Sequence, residues 1–364
     1  MSGPAFRARA QLDSPQIVTI ASLAAQSGRY FGAAVRMEYL RRDLDRDLRD
    51  AVEAECSLLT PEIDLKWDVI EQERGHLTLT QMDDLVSFAQ SSGKKVHGHT
   101  LLWHLSVPSW AEAELADRKD WTLVRNHLAA VIPRYAGIIE DWDVVNEPIE
   151  TGHRQDGLRP SIFLRAFGPT YINRALEEAN RLAPSARLMI NEYGLDYNIP
   201  VENDRRYLFL KLLERLRYDG APLHSIGIQA HLDLAKAPFS QKVFEKFLKD
   251  IADMGFAIVI TELDVKEHIY TLSAEERDQR VGELVTDYLD VALAQPAVEG
   301  VITWGLSDRR SWLYVTPEDY ARHAGAWKAG EGPGLNRGLP LDASMRRKPM
   351  YHAISAAFRR APSQ

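Results

Sequence analysis

Carboxylate, amide and imidazole side chains follow several short apolar runs of this sequence. Carboxylates and imidazoles transfer protons and attack electrophilic carbon, and amides orient such groups by hydrogen bonds. One run ends in Asn146 and Glu147, and a later run ends in Glu262 and Asp264. Two carboxyl groups that share a partly desolvated site repel each other, so one stays protonated while the other ionises. Such a pair suits glycoside hydrolysis, in which an acid protonates the leaving oxygen while a carboxylate attacks the anomeric carbon or activates water.

Alternation along an extended chain places further polar residues beside this pair. Glu262 and Asp264 are two residues apart and therefore lie on one side of a strand, as do Gln229 and His231. Taken singly, each has an ordinary structural interpretation, because a strand-end glutamate is most often solvated and a histidine is most often hydrogen-bonded within the fold. The functional interpretation depends on the fold bringing these residues together.

Eight short apolar runs alternate with longer amphipathic stretches. The runs, which we predict to be buried parallel strands, are Tyr30–Val35, Cys56–Thr60, Lys95–Gly98, Ile139–Asn146, Arg187–Asn191, Ile226–Ala230, Ala257–Thr261 and Val301–Trp304. Helices are predicted between them over Met82–Ser91, Trp121–Tyr135, Tyr171–Leu182, Asp204–Tyr218, Gln241–Met254 and Glu275–Ala294. Eight βα units predict a single-domain (β/α)8 TIM barrel over residues 1–364. Its fourth and seventh strands face each other, which would bring Glu147 and Glu262 together over the barrel mouth.

Two segments lie outside these repeated units. Residues 1–27 are predicted to form an N-terminal helix or extension, and residues 306–349 a loop region over the barrel mouth. The N-terminal residues resemble a signal peptide only faintly. We therefore expect a cytoplasmic protein if the chain is complete, and a secreted or periplasmic one if a leader was removed.

The composition argues against several classes of protein. The 364 residues are 45% hydrophobic and 26% charged, which is typical of a folded globular protein. Because no run of about 18 uncharged apolar residues occurs, no membrane association is expected. The formal net charge is −8 and no basic stripe occurs, which argues against a nucleic-acid partner. We expect a monomer, and the single Cys56 does not reveal the redox compartment.

The motifs at the strand ends resemble those of glycoside hydrolase family 10, the endo-β-1,4-xylanases, from about Gly28 to Phe358. The matching segments are Thr60-Pro61-Glu62, Lys66-Trp67-Asp68, Gly98-His99-Thr100-Leu101-Leu102-Trp103-His104, Trp142-Asp143-Val144-Val145-Asn146-Glu147, Gln229-Ala230-His231, Thr261-Glu262-Leu263-Asp264, Trp304-Gly305-Leu306-Ser307-Asp308, Ser311-Trp312-Leu313 and Arg347-Lys348-Pro349. Each segment is a weak signal alone, but their order along eight predicted strands makes the resemblance specific. It implies retaining, double-displacement cleavage of β-1,4-xylosidic bonds in xylan or xylo-oligosaccharides, with no metal and no organic cofactor.

The resemblance also implies a role for each matching residue. Glu147 would be the general acid/base, Glu262 the nucleophile, and Asn146 would bond the sugar 2-hydroxyl or the nucleophile. The residues that would support the nucleophile are Gln229, His231 and Asp264. The residues that would bind substrate are Glu62, Lys66, His99, Trp103, Tyr193, Trp304 and Trp312.

Two positions depart from the family pattern on the non-reducing (glycone) side of the cleaved bond. Ile63 replaces an asparagine that contacts the second glycone sugar, and Ser106 replaces a glutamine. A hydrogen bond from a protein amide to a sugar hydroxyl contributes about 1 kcal/mol. We therefore predict an atypical glycone subsite, and as an alternative activity the cleavage of short or substituted oligosaccharides or of another β-glycoside.

Two further functions fit parts of the sequence. In a metal-dependent hydrolase of the amidohydrolase kind, His97, His99, His231 and Asp308 would hold a divalent cation. In a sugar-binding protein, the fold would be kept without catalysis, although both candidate catalytic glutamates are present. A metal site requires its ligands to converge, which the structure tests.

Overall fold

Eight parallel strands form the centre of the molecule. The structure, a computed structural model, describes residues 18–322 and 332–364, with only the backbone at position 319. The strands of this part of the chain are β1 Tyr30–Val35, β2 Leu58–Pro61, β3 Lys95–Gly98, β4 Leu102–Trp103, β5 Ile139–Asn146, β6 Arg187–Glu192, β7 Ser225–Ile228, β8 His231–Asp233, β9 Ala257–Lys266 and β10 Val298–Thr303. Apart from the short β4 and β8, strands that follow each other in the chain are paired side by side in the sheet. The last strand, β10, pairs with both β9 and β1. These pairings close a TIM barrel.

Helices surround the barrel. The helices of the described residues are α1 Ile20–Gln26, α2 Arg46–Glu55, α3 Trp67–Ile70, α4 Thr80–Ser91, α5 Ser109–Arg118, α6 Thr122–Val131, α7 Ile162–Phe167, α8 Tyr171–Leu182, α9 Pro200–Tyr218, α10 Gln241–Asp253, α11 Ala274–Ala294, α12 Pro317–Arg322 and α13 Pro349–Arg360, with 3-10 turns at Met37–Leu40, Ile132–Tyr135 and Asp308–Arg310. Their buried apolar faces pack on the outer face of the strands, as where Phe358 of α13 meets Phe31 of β1 edge to face. No described helix is long and apolar enough to cross a membrane.

The predicted barrel is confirmed, with differences at the strand ends. The seventh predicted strand was expected to stop at Thr261, but β9 continues to Lys266 because its outer part pairs with β8, from His231↔Asp264 to Asp233↔Lys266. The second and sixth strands are displaced by one or two residues, to Leu58–Pro61 and Ser225–Ile228. The extension of β9 matters for the site, because it holds Glu262 and Asp264 in one rigid strand.

The two outlying segments are described in part. Residues 20–26 form α1, whereas residues 1–17 of the predicted extension lie outside the described residues. The segment 306–349 contains the turn Asp308–Arg310 and α12, and residues 323–331 lie outside the described part. Its Trp312 lies beside the strand-end histidine His231, with ring centroids 5.2 Å apart. The segment therefore contributes to the site at the strand ends.

Candidate active site

A cavity of about 580 Å³ lies at the carboxyl ends of the strands, where TIM barrels carry their chemistry. The predicted site residues that line it are Glu62, Ile63, Lys66, His99, Trp103, Asn146, Glu147, Tyr193, Gln229, His231, Glu262, Trp304 and Trp312. Asp264 does not line the cavity but forms hydrogen bonds with two residues that do, His231 and Trp312. The fold thus brings together thirteen side chains from segments far apart in the sequence.

Both oxygens of the Glu262 carboxylate accept hydrogen bonds. Oε1 accepts from Asn191 Nδ2 at 2.7 Å, and Oε2 accepts from His231 Nε2 at 3.1 Å. The other ring nitrogen of His231 donates to Asp264 Oδ1 at 2.8 Å, and Asp264 Oδ2 accepts from Trp312 Nε1 at 2.6 Å. This chain of bonds fixes the direction of the Glu262 carboxylate within the cavity.

The same contacts set the charges of the two groups. Burial opposes the charged form of His231, but Asp264 and Glu262 raise its pKa well above the ordinary value, so His231 is an imidazolium at neutral pH. Burial likewise opposes ionisation of Glu262, but the His231 hydrogen bond and the nearby charges of His99 and His231 lower the pKa of Glu262 below its ordinary value. Glu262 is therefore held as a carboxylate although only 4% of its surface is exposed.

The side chains that contact the Glu147 carboxyl group are uncharged, in contrast to the imidazolium that contacts Glu262. Its Oε1 faces Asn146 Nδ2 and Gln229 Nε2, each at 3.3 Å, and its Oε2 lies 3.9 Å from His104 Nδ1. Burial and the Arg159 charge lower the pKa of His104 to about 4, so this imidazole is uncharged at neutral pH. Arg159 itself donates to the backbone oxygen of Glu147 rather than to its carboxyl group. Among the described residues, no cation donates a hydrogen bond to the Glu147 carboxyl group, whereas His231 donates one to Glu262.

Asn191, at the end of β6, links the two carboxyl groups. Thr261 donates to its Oδ1 at 2.7 Å, which leaves its Nδ2 to donate to Glu262 and, at 3.0 Å, to Asn146 Oδ1. A Cβ on Gly227 would lie 2.3 Å from Asn191 Oδ1, so a glycine is required beside this amide. Sequence reasoning missed the role of Asn191, although it ends the fifth apolar run as Asn146 ends the fourth.

The backbone at Glu147 is held in an unusual conformation. Its φ is +56°, in the left-handed region that costs a non-glycine residue about 1 kcal/mol or more. Its N–H donates to Asn191 O at 2.8 Å and its C=O accepts from Arg159 Nε at 2.8 Å. These bonds maintain the conformation that directs the side chain over the barrel mouth.

Aromatic rings and a lysine form the opposite part of the cavity. Lys66 Nζ lies 4.5 Å from the ring centroid of Trp103 and 6.0 Å from that of Trp304. Burial lowers the pKa of Lys66 below its ordinary value, although the nearby carboxylates oppose this shift. His99 packs edge to face on Trp304 and bonds Asp143 through Nδ1 at 2.8 Å. A sugar ring has apolar C–H faces and polar hydroxyl groups. A surface that combines flat aromatic rings with polar side chains therefore suits it.

Comparison with known proteins decides the family. The model of glycosyl hydrolase family 10 matches residues 19–357. The chain belongs to this family. It is 30% identical over 339 residues to an endo-1,4-beta-xylanase of Agaricus bisporus, and the match covers 92% of each chain. It is 33% identical over 276 residues to a beta-1,4-xylanase of Dictyoglomus thermophilum, and this match covers 72% of this chain and 75% of that one. It superposes on xylanase 10B from Thermotoga petrophila RKU-1 in complex with xylobiose with a TM-score of 0.80 at 27% identity, covering 95% of this chain and 98% of that one.

One predicted site residue of this family 10 glycoside hydrolase lies elsewhere. Ser106 was expected in the glycone subsite, but it is 3% exposed, does not line the cavity, and its hydroxyl donates to Asp68. Its neighbour Leu105 lines the cavity instead and is 67% exposed. Ser106 therefore does not face the cavity as predicted, and the apolar side chains that line it include Ile63 and Leu105.

The cavity of the family 10 enzyme also contains residues that sequence reasoning did not select. They are Arg36, His104, Leu105, Arg159, Gly194 and Lys236. Arg159 donates to the Tyr193 hydroxyl at 3.1 Å, and Lys236 pairs with Glu202 at 2.8 Å. A single arginine or lysine in a loop has no spacing signal, which is why the pattern of strand ends did not identify them.

The residues proposed for a metal site do not converge in this family 10 fold. His97 and His99 both contact Asp143, at 3.0 and 2.8 Å, whereas His231 bonds Asp264 and Glu262. Asp308 pairs with Lys348 at 2.8 Å. Within residues 18–322 and 332–364, no group of three or more histidine, cysteine, aspartate or glutamate side chains is arranged to hold a metal ion. The ligand set expected for a metal-dependent hydrolase is therefore not assembled.

The His231 contacts predict a shift in the pH dependence of this family 10 enzyme. If catalysis requires ionised Glu262, kcat/KM falls as pH drops through the pKa of Glu262. Replacing His231 with glutamine removes the positive charge that lowers this pKa, so the acidic limb of the kcat/KM profile should move to higher pH. The exposed His352 of α13 provides the control, because His352→Gln removes the same kind of side chain at a position that does not line the cavity. An unchanged acidic limb in His231→Gln would mean that this contact has only a structural role.

Proposed function

We propose that this family 10 enzyme cleaves β-1,4-xylosidic bonds in xylan or xylo-oligosaccharides with retention of configuration, with Glu262 as nucleophile and Glu147 as general acid/base. The observation that carries the proposal is the difference between the two carboxyl groups. Glu262 has an imidazolium and an amide as donors, whereas Glu147 contacts neutral groups that tolerate either protonation state. The endo-1,4-xylanase relatives support the choice of substrate.

In the first step, a Glu262 oxygen attacks the anomeric carbon from one face while Glu147 gives its proton to the departing glycosidic oxygen. The C–O bond to the leaving sugar breaks and a covalent glycosyl ester of Glu262 forms. In the second step, Glu147, now a carboxylate, takes a proton from water as the water oxygen attacks the same carbon. Glu262 leaves as a carboxylate, so both groups return to their starting protonation states.

The other residues of the site have supporting roles in this proposal. Asn146 donates to Glu147 and would bond the 2-hydroxyl of the sugar, while Gln229 donates to Asn146. His231 and Asp264 keep Glu262 ionised and aimed. The residues that bind sugar are Glu62, Lys66, His99, Trp103, Tyr193, Trp304 and Trp312, with the two last forming aromatic walls.

A comparison of oligosaccharides tests the substrate. Purified enzyme is incubated with xylan, with xylotriose to xylohexaose, and with the matching cello-oligosaccharides, and the products are separated by chromatography. Cleavage of the xylo-oligosaccharides at least tenfold faster than the cello-oligosaccharides is expected. Preferential cleavage of the cello-oligosaccharides would assign the site to another β-glycoside, and no cleavage of any would contradict the proposal.

The glycone subsite should bind an unsubstituted xylose weakly. Ile63 has no polar side-chain atom to meet a sugar hydroxyl, and Leu105 beside the cavity has none either. Restoring one hydrogen bond is worth about 1 kcal/mol. Ile63→Asn should therefore raise kcat/KM for an aryl β-xylobioside relative to an aryl β-xyloside by about fivefold or more. Ile63→Leu is the matched control, since it keeps the size of the side chain without adding a polar atom. The prediction would be contradicted if kcat/KM of the unmodified enzyme is already much higher for the aryl β-xylobioside than for the aryl β-xyloside and Ile63→Asn does not raise this ratio.

A further inference from the structure

Tyr193, the residue that follows β6, lines the cavity on the side of Glu147. Its hydroxyl accepts a hydrogen bond from Arg159 Nη2 at 3.1 Å, and the same guanidinium donates through Nε to the backbone oxygen of Glu147. In the proposed mechanism Glu147 protonates the leaving oxygen, so the leaving-group (aglycone) sugar lies on this side of the cavity. We therefore expect the ring of Tyr193 to contact that sugar.

A buried arginine covers the ring of Tyr193. The guanidinium carbon of Arg205, a residue of α9, lies 4.2 Å from the centroid of this ring, and only 6% of Arg205 is exposed. Its Nη1 donates to Ile149 O at 3.3 Å and lies 3.6 Å from Glu192 Oε1. Its Nε has no hydrogen-bond acceptor among the described residues, so hydrogen bonds alone do not account for the position of the guanidinium. The stacking on Tyr193 is thus a main contact of this side chain.

The backbone after Tyr193 permits this contact. Gly194 has a φ of +63°, and a Cβ on it would lie 3.3 Å from Arg205 Nε. A glycine therefore allows both the turn after β6 and the close approach of the arginine. The buried pair of Arg205 and Glu192 joins α9 to the end of β6, so the guanidinium is fixed relative to the barrel.

We propose that Arg205 is a positioning residue for the aglycone subsite, where it holds the Tyr193 ring in the orientation that packs against the leaving-group sugar. This inference rests on the proposed function, because it concerns how the same site binds the leaving group. A half-buried tyrosine without such a contact would have to lose rotational freedom when the sugar binds. A ring that is already held avoids this cost and binds the sugar more tightly.

Transfer of the glycosyl group to a sugar measures the aglycone subsite separately from the first chemical step. An aryl β-xylobioside forms the glycosyl-enzyme, and added xylobiose then competes with water for it. A hydroxyl oxygen of xylobiose attacks the anomeric carbon, its proton passes to Glu147, and the ester bond to Glu262 breaks. The ratio of transfer product to hydrolysis product depends on the binding of xylobiose in the aglycone subsite and is independent of the amount of active enzyme.

Arg205→Lys keeps a positive charge beside Glu192 but lacks the planar group that stacks on the ring. At a fixed xylobiose concentration below saturation, it should lower the transfer-to-hydrolysis ratio by about threefold or more. Arg174→Lys is the matched control, because the Arg174 guanidinium lies 4.2 Å from the ring centroid of Trp121 and neither residue lines the cavity. This variant should keep the ratio of the unmodified enzyme.

Tyr193→Ala shows whether Arg205 acts through the tyrosine. This variant should lower the ratio by about tenfold, because the aromatic face is lost. Adding Arg205→Lys to Tyr193→Ala should then lower the ratio no further. A merely structural role of Arg205 would instead lower the ratio by the same factor with and without the tyrosine.

An unchanged ratio in Arg205→Lys or in Tyr193→Ala would overturn the proposal. A loss in the double variant equal to the loss in the single arginine variant would do so as well. Absence of transfer to xylobiose by the unmodified enzyme would overturn it without any variant. Failure of the proposed function has a different result, because the aryl β-xylobioside would then not be cleaved at all.

Discussion

Glu262→Ala is expected to lower kcat/KM about 10⁴-fold or more on every xylosidic substrate, because the variant lacks the carboxylate that attacks the anomeric carbon in the proposed mechanism. The loss should be independent of the leaving group, since the nucleophile is needed however well that group departs. Glu275→Ala, at the exposed start of α11, is the matched control and should leave the kinetics unchanged. Steady-state rates with an aryl β-xylobioside measure both variants.

A small anion distinguishes lost chemistry from lost structure in Glu262→Ala. Azide can enter the space left by the carboxylate and attack the anomeric carbon directly. The product should be the α-glycosyl azide, inverted with respect to the substrate, and its appearance would show that the rest of the site is intact. Near-normal hydrolysis by Glu262→Ala without azide would remove Glu262 from the nucleophile role.

Glu147→Ala is expected to lower kcat/KM by about 10²–10⁴-fold for substrates with poor leaving groups, which require protonation. For a dinitrophenyl glycoside, whose leaving group needs no proton, kcat/KM should change little. Its kcat should still fall, because the second step has lost the base that activates water. The glycosyl-enzyme would then accumulate and produce a burst of dinitrophenol.

Azide provides the matching control for Glu147→Ala. It needs no base, so it should restore kcat and yield the β-glycosyl azide, with retained configuration. The two alanine variants are therefore expected to give opposite anomers of the same azide. An equal loss of kcat/KM for good and poor leaving groups would contradict the acid/base assignment of Glu147.

The barrel and its reactive pair could be predicted because both depend on local patterns. Eight apolar runs separated by amphipathic stretches specify strands and helices, and the period of two along a strand places Glu262 beside Asp264. The structure places both in β9, and both contact His231. The strand ends were less predictable, since β9 is lengthened by its pairing with β8, a contact between segments about thirty residues apart.

The loops of the site could not be predicted in the same way. Beyond the short β4, nothing in the sequence fixes which side chain faces the cavity, and the chain turns so that Leu105 rather than Ser106 does so. Asn191 and Arg36 also occupy strand ends, but an asparagine or arginine there is usually solvated. Only the three-dimensional contacts, Asn191 with Glu262 and Arg36 with Glu62, show that these side chains belong to the site.

The anomeric configuration of the first product tests the central claim most directly, because double displacement by Glu262 and Glu147 inverts the anomeric carbon twice. Cleavage of a xylo-oligosaccharide is followed by proton NMR from the first minute, before mutarotation mixes the anomers. We expect the β-anomer of the newly formed reducing end to appear first and the α-anomer to form later by mutarotation. Initial formation of the α-anomer would contradict it, since a single displacement by water would then have taken the place of attack by Glu262.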